Sequence, residues 1–524
     1  MYNKWTVDLF LNLFENYLYL DPSKSFFKTV LSLSPEFFLI VAIFSYLCFV
    51  KNFNNFYISS LFFYFVLFIE LFLITYNGLS FIYSGIYMPQ SFFYSCLTVD
   101  FYSTFCKFFI ITFLILISAF SEFKFTWNKP ASADIYIPIF FFLFFGLLLL
   151  SASDLFCAYL ALEGVSLSLY TLAANTYHKR VAIESAIKYF VFGGISNGLL
   201  LYGNSIIFGL SGTLNFIEIK YLFNSLDFNL ASNEVCLGLS CFVIVFLFKV
   251  AAFPCHMWSP DVYEGVWLPI TTILMVLVKL LYFFFFFKIF FYVFIKLMYL
   301  WQPLILLSSL GSLVVGSFGI IGQNRIKRLM AYSSINHVCF ILLGMACGSL
   351  TGLTVTILYL LVYSLTSLIF FGFLLNSQCL ITGRTLIYLS DFANLTKFST
   401  IGSQGLLIVL FSMGGLPPLA GFFVKFYIYI EAISSGFYIF VIFSLVITIV
   451  STFYYLFFLK SIFFNKNLWP KIVALNFLRS WHFYIILLAC LFLICFLFIN
   501  NYVYDFVFIM SASLFCPNFY YLTF

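Results

Sequence analysis

Of 524 residues, 64% are hydrophobic and only 8% are charged, whereas a soluble domain carries about a quarter charged residues. A chain of that composition does not stay in water, and its formal net charge of +6 rests on too few residues to suggest a nucleic-acid partner. At roughly 20 apolar residues per membrane crossing, the length allows a dozen or more spanning helices with short connections.

The opening segment, MYNKWTVDLFLNLFENYLYLDPSKS, lacks the basic start and small-residue cleavage site of a secretory signal, and lacks the Arg-rich, acid-poor character of a transit peptide. Synthesis in the compartment where the protein works is therefore expected, in an organelle or a bacterium. The 79 Phe and 36 Tyr exceed what cores and interfacial belts require. Read as coding bias, Phe standing for Leu on lipid faces, they tilt the expectation toward an organelle. The 13 Cys lie scattered in apolar runs without CxxC pairs, so no metal, iron-sulfur or disulfide framework is expected.

In chain order, apolar runs long enough to span fall near 30–50, 56–75, 101–119, 134–151, 154–174 and 184–210. Others fall near 233–254, 267–287, 301–321, 328–347 and 352–375. A run near 401–417 breaks at Pro417 and Pro418 and resumes to about 435, and runs near 437–458 and 482–500 complete about fourteen. This order satisfies the positive-inside rule. Loops on one face take 14 of the 25 Lys and Arg, and the other face takes 6, Lys288 among them. The remaining five, Lys107, Lys188, Lys249, Lys279 and Lys425, fall inside spans, where a central cation costs at least ~2.5–3.5 kcal/mol. Lys107 lies within two turns of Asp100 and could snorkel to the surface.

In the 154–174 run, helical spacing puts Tyr159, Glu163, Ser166 and Tyr170 on one stripe. An intramembrane carboxylate in a polar seam reads as functional; the alternative is a structural hydrogen-bond node between helices. Glu184 and Lys188 are four apart in the order that favours a same-face ion pair. Glu184 suits a surface pair, and Lys188 is expected to be the deeper, internal member.

FLFKVAAFPCHMWSPDVYEG begins as a lipid-type helix and then meets Pro254, which must open the backbone one turn after Lys249. Discontinuous helices at membrane depth are tolerated only where buried or lining a wet cavity. Beyond the break, His256, Asp261 and Glu264 bring titratable groups to the connection, although His256 could equally be a satisfied loop histidine. Lys279 sits three turns into the next helix among aliphatic residues, too deep for a flanking anchor. Further on, Ser333 and His337 share a face one turn apart and form a neutral relay element, or else His337 simply glues two helices. GGLPPLAGFFVKF repeats the break, with Lys425 about two turns beyond it. Two broken helices, each with one buried Lys, are the trace of a duplicated transporter unit.

The strings LEGVSLSLYTLAAN, ESAIKYFVFGG, FKVAAFPCHMWSPDVYEG, GQNRIKRLMAYSSINH and GLPPLAGFFVKF together resemble the NADH dehydrogenase subunit 2 family, antiporter-like membrane subunits of respiratory complex I. They occur in family order over about residues 134–460, and FPCHMWSPDVYEG is the most specific phrase. The resemblance implies an all-α polytopic bundle of about fourteen transmembrane helices with two inverted five-helix repeats, each containing a Pro-broken helix. It divides the chain into N-terminal helices (1–133), a first repeat (134–297), a second repeat (298–459) and a C-terminal helix and tail (460–524). Carried onto matching positions, it implies that Glu163 modulates Lys249 as an ion pair on adjacent helices, Lys188 is auxiliary, Lys279 links two half-channels and Lys425 ends the second. His256 and His337 complete the candidate set. The sister subunit 4 usually has Glu where Lys425 stands, which favours subunit 2.

The function so implied is proton translocation coupled to quinone reduction, with NADH, FMN, iron-sulfur clusters and quinone held by partner subunits. This chain shows no Gly-rich strand-to-helix turn of the dinucleotide-binding kind. Expected partners are other membrane-arm subunits, including the subunit 4 homologue, and lipids such as cardiolipin, in the mitochondrial inner membrane or a bacterial plasma membrane. The rivals are a subunit of a multi-subunit sodium/proton antiporter, whose loop after the broken helix normally differs from SPDVYEG, and a scaffold with structural lysines. Residues 1–130 match no family motif, Glu70 has no implied role, and VYDFVFIMSASLFCPNFYYLTF runs past the last expected helix.

Overall fold

The computed structural model describes residues 32–50, 56–84, 90–127, 133–175, 180–225, 232–379, 386–393, 395–464, 473–475 and 481–515. Three apolar helices come first, the shorter α1 (Ser34–Val50) and the membrane-length α2 (Phe56–Ser84) and α3 (Phe101–Trp127). A small antiparallel hairpin pairs Gln90–Phe92 with Leu97–Val99 ahead of α3. Next come α4 (Tyr136–Ser151), α5 (Leu155–Ala174), α6 (Arg180–Ser211) and α7 (Ser232–Val250). The chain then loses helical structure and restarts as the short α8 (Trp258–Gly265), followed by α9 (Leu268–Val293).

The second set repeats that order: α10 (Met298–Ile320), α11 (Ile326–Ala346), α12 (Leu350–Asn376), then α13 (Thr400–Gly414) broken from α14 (Ala420–Ser434), then α15 (Tyr438–Phe463). In each set the fourth member is the broken one. A closing helix, α16 (Trp481–Phe515), runs 35 residues. It corrects the expectation that helix ends near 500, because most of the supposed tail continues it; the last nine residues lie outside the described ones, as does the N-terminal segment read for targeting signals.

Eleven of these helices are long and apolar enough to cross a membrane, and three shorter apolar ones accompany them, so the described residues supply the fourteen crossings expected from the runs. Lipid cannot satisfy a free hydroxyl, and the Ser and Thr of the spans turn back onto carbonyls three or four residues earlier, as Ser168 does to Val165 at 2.7 Å and Thr356 to Leu353 at 2.7 Å. Helices α9, α11 and α12 are apolar around nearly their whole circumference and buried along it, as all-round hydrophobic helices must be. They form the centre. Helices α2, α6, α15 and α16 keep large apolar side chains such as Phe65, Phe190, Ile449 and Phe498 on the outside, the surface that lipid would cover.

Candidate functional site

The candidate site is a row of cations and hydroxyls running through that centre. Lys249 occupies the last turn of α7, just before the break at 251–257. Its Nζ donates to Asn197 Oδ1 of α6 at 2.8 Å, and the Asn197 amide donates to Ser166 Oγ of α5 at 3.3 Å. Ser166 in turn donates to the Glu163 carbonyl one turn back at 2.8 Å.

Helix α6 packs against both α5 and α7, and the pair expected between Glu163 on α5 and Lys249 on α7 is not made directly. Among the described residues no ion pair within 4 Å joins them, although Glu163 lies within Coulombic range of Lys249. An amide of the intervening helix fills the gap. Gly193 of α6 leaves room for this seam, because a Cβ there would stand 1.7 Å from the Tyr170 hydroxyl oxygen.

Pro254 ends α7, and two devices answer the carbonyls this frees. Ala252 N–H reaches Leu247 O at 2.8 Å, and Trp258 Nε1 donates to Phe248 O at 3.1 Å while its ring stacks on Tyr189. Trp258 and Asn197 are working residues that the sequence did not reveal. His256 lies inside the break, buried, stacked on Phe253, with Nδ1 lacking a hydrogen-bond partner. No hydrogen bond connects it to the lysines.

Beyond Lys249, the Tyr282 ring centroid of α9 lies 5.8 Å from its Nζ. One turn earlier on α9 stands Lys279, only 2% exposed, with no hydrogen bond at Nζ and the Tyr363 ring of α12 at 5.9 Å. Both distances fall at the limit of cation–π range. Lys279 lies two residues beyond a wide π-helical segment at Ile273–Leu277, a feature often found at functional sites.

From Tyr363 the row passes to His337 of α11, the two rings 4.9 Å apart. His337 Nδ1 lies 2.7 Å from the Tyr359 hydroxyl, and Nε2 lies 3.1 Å from the Tyr455 hydroxyl. A neutral imidazole donates from one nitrogen and accepts at the other, so His337 is hydrogen-bonded to two tyrosines at once. The expected partner Ser333 instead donates to Met330 O at 2.8 Å.

At the far end, Lys425 of α14 donates to Met413 O at 3.1 Å and Gly414 O at 3.0 Å, the last carbonyls of α13, with Phe340 beneath it at 5.2 Å. A cation there sits on the negative end of a helix dipole. Lys249 also stands at the C-terminal end of the first half of its broken helix.

Three other lysines depart from expectation. Lys188 is not internal: its side chain is 41% exposed and bonds Glu184 at 2.8 Å and Asp261 at 3.2 Å. The i,i+4 pair exists, and the addition of Asp261 draws Lys188 toward α8. Asp261 also meets Arg328 at 3.0 Å, Arg328 meets Glu264 at 3.0 Å, and Glu264 pairs with Arg325. Lys107 does not snorkel but is buried against Glu36, and Lys288 is buried within α9 and not in a loop. In both cases a partner distant in sequence holds the cation inside.

Residues 152–451 match the family model described as NADH:quinone oxidoreductase/Mrp antiporter, TM. The chain belongs to this family. Among curated members, a "NADH-quinone oxidoreductase subunit N" of Pelagibacter ubique is 36% identical over 62% of this chain and 69% of that protein. A "NADH-ubiquinone oxidoreductase chain 2" of Marchantia polymorpha is 34% identical over 61% and 65%. The chain thus spans about two thirds of the length of each. A chain of the aureothin-bound respiratory complex I of Thermus thermophilus shares the fold with a TM-score of 0.72, at 23% identity over 90% of this chain and 98% of that one. The residues of the oxidoreductase/Mrp family match take in Glu163, Asn197, Lys249, Lys279, His337 and Lys425, and stop four residues short of Tyr455.

Proposed function

We propose that this chain is a proton-translocating, non-redox membrane-arm subunit of an NADH:quinone oxidoreductase. The observation that carries the reading is the row Lys249, Lys279, His337 and Lys425, buried on core helices and joined by Tyr282, Tyr363, Tyr359 and Tyr455. No fold-stabilising role requires three separate lysines at that depth, because a buried cation is a net cost unless it is well paired. The names of the curated relatives favour the oxidoreductase over the sodium/proton antiporter rival.

In this reading the Lys249 ammonium is held by Asn197 and responds to charge on Glu163. An ionised carboxylate favours the charged lysine and a neutral one favours the amine. A proton released from Lys249 moves toward Lys279, on to the Tyr–His337–Tyr relay, and thence to Lys425. The gaps of nearly 6 Å between lysines and rings are of the size that a bridging water closes. His337 can accept at one nitrogen and release from the other, which suits it to neutral transfer. Lys188 and His256, outside the row, are left as auxiliary. The two broken-helix sets, 134–297 and 298–459, are proposed as inverted repeats flanked by 1–133 and 460–524.

NADH, FMN, iron-sulfur clusters and quinone are assigned to partner subunits, which are proposed to include a subunit 4 homologue, with cardiolipin-type lipid on the apolar exterior. The Phe-rich composition favours the mitochondrial inner membrane, and the bacterial relatives fit the alternative of a bacterial plasma membrane. The test is the assembled complex in closed vesicles, followed for NADH-driven quinone reduction and for acidification. Lys249→Ala should lose coupled pumping while assembling normally; wild-type pumping would refute the role.

A further inference from the structure

Helices α1–α3 lie outside the residues matched to the family, yet they enclose a second set of charges. Glu36 begins α1, Glu70 lies within α2 and Lys107 lies in the second turn of α3, with exposures of 4%, 0% and 2%. Lys107 Nζ pairs with Glu36 Oε1, and Ser151 Oγ at the end of α4 donates to the same oxygen at 3.5 Å. Both oxygens of Glu70 lack any hydrogen-bond partner. The charged groups acting on it are Glu36 from α1 and Lys107 from α3.

One ammonium is thus paired with Glu36, while Glu70 stands within Coulombic range of both and bonds neither. An ionised carboxylate with no partner is among the costliest groups to bury, whereas the acid form is neutral. Like charges sharing a site do not both ionise. Glu36 holds the lysine and the serine, so Glu70 is the member left to carry a proton.

The cluster also lies beside a part-exposed corner of the molecule. Residues 150–152, which hold Ser151 against Glu36, present their carbonyls to Lys288: its Nζ reaches Ala152 O at 2.9 Å and Leu150 O at 3.4 Å, besides Thr98 Oγ1 at 3.2 Å. Asp100 Oδ2 lies 3.8 Å from the same Nζ and is part-exposed. Asp100, Lys288, Tyr292, Ser153 and Ser513 line a cavity at this corner. Asn77 of α2 bonds Ser32 O beside the start of α1 at 3.1 Å, and Glu70 lies seven residues deeper, about 10 Å at 1.5 Å per residue.

We propose that Glu70 is a buried proton-loading site, reached from the Asp100/Lys288 cavity by way of Glu36 and Lys107 and separate from the lysine row. A hydronium in the cavity gives up one O–H bond and Glu70 gains one; no electron moves. The site binds a proton and no larger ligand, because the Glu70 side chain is fully buried.

The test is the infrared spectrum of the assembled complex in native membrane vesicles. Subtracting the Glu70→Gln spectrum from wild type should leave the carbonyl band of a protonated carboxylic acid. Glu70→Asp, which keeps the group, should shift that band and not abolish it. Transfer into heavy water should displace the band, and Asp100→Asn should slow that displacement several-fold. Lys249→Ala should leave band and rate unchanged, so failure of the lysine row would not imitate failure here. A difference spectrum showing only ionised carboxylate, or exchange as fast in Asp100→Asn as in wild type, would overturn the proposal.

Discussion

Asn197 gives the row of charges a chemical definition at its first step, because it is the group that both holds Lys249 and leads to the Glu163 turn. Removing a hydrogen bond to a charged group costs about 1.5–3 kcal/mol. Asn197→Ala is therefore expected to lower coupled pumping about tenfold or more. In a double-mutant cycle with Glu163→Gln the two losses should not add, since both act on Lys249; strict additivity would break the link. Lys188→Ala should behave differently. Its pairs with Glu184 and Asp261 are solvent-screened, worth about 0–1 kcal/mol, and pumping in vesicles should stay near wild type. The lysines of the row were legible in the sequence because a charge in an apolar run is conspicuous. Asn197 was not, as a neutral amide among small residues in GGISNGLL carries no such mark, nor were Tyr282 and Tyr363 distinguishable among 36 tyrosines. Lys107 and Lys288 were misread for a related reason: depth in a run does not tell which distant group a flexible side chain meets.

Each broken helix is built by backbone as much as by proline. Between α13 and α14, Gly415 has φ +80° and Gly421 sits so close to α13 that a Cβ would stand 1.8 Å from Ser412 O. A Cβ on Gly415 would also come within 2.9 Å of Lys425 Nζ. Gly415→Ala therefore meets a left-handed backbone, costing about 1–2 kcal/mol, and pushes the ammonium off the Met413 and Gly414 carbonyls. The expected outcome is an assembled complex with impaired pumping. Gly421→Ala, which pits a methyl against backbone, should lower the yield of assembled complex, measured on native gels. The positions of both breaks were readable from Pro254 and Pro418, since proline cannot continue the hydrogen-bond ladder. What answers the freed carbonyls, Trp258 in one break and Lys425 in the other, depends on packing that local sequence does not encode.

Across the whole molecule, the two helix sets meet at a charged joint in which α8 of the first contacts the start of α11 in the second. Asp261 is bonded by Lys188 and Arg328, Glu264 is bonded by Arg325 and Arg328, and Lys327 Nζ reaches Val266 O at 2.5 Å. Gly265 seats α8 closely on α6 of its own set, since a Cβ there would lie 2.9 Å from Val181 O. Partial burial pushes the Asp261 carboxyl upward, but the hydrogen bonds from Arg328 and Lys188 outweigh it and hold the group below the usual carboxylate range. A carboxylate depressed in the folded state contributes stability that is fully present above its unfolded value of about 3.9 and is lost as pH falls through the folded value. The joint should thus be closed at neutral pH and loosen only in acid. Asp261→Asn imposes the neutral form at every pH. Each half-exposed pair is worth about 0.2–1 kcal/mol, so amide exchange in 258–265 and 326–330 of the assembled complex should quicken roughly two- to fivefold in the variant at neutral pH. Wild type should approach the variant's exchange, corrected for the intrinsic effect of pH, only below about pH 4, where Asp261 itself becomes neutral. Equal protection in the two proteins at pH 7 would show that Asp261 does not hold the sets together, and would shift that task to Glu264 and its two arginines.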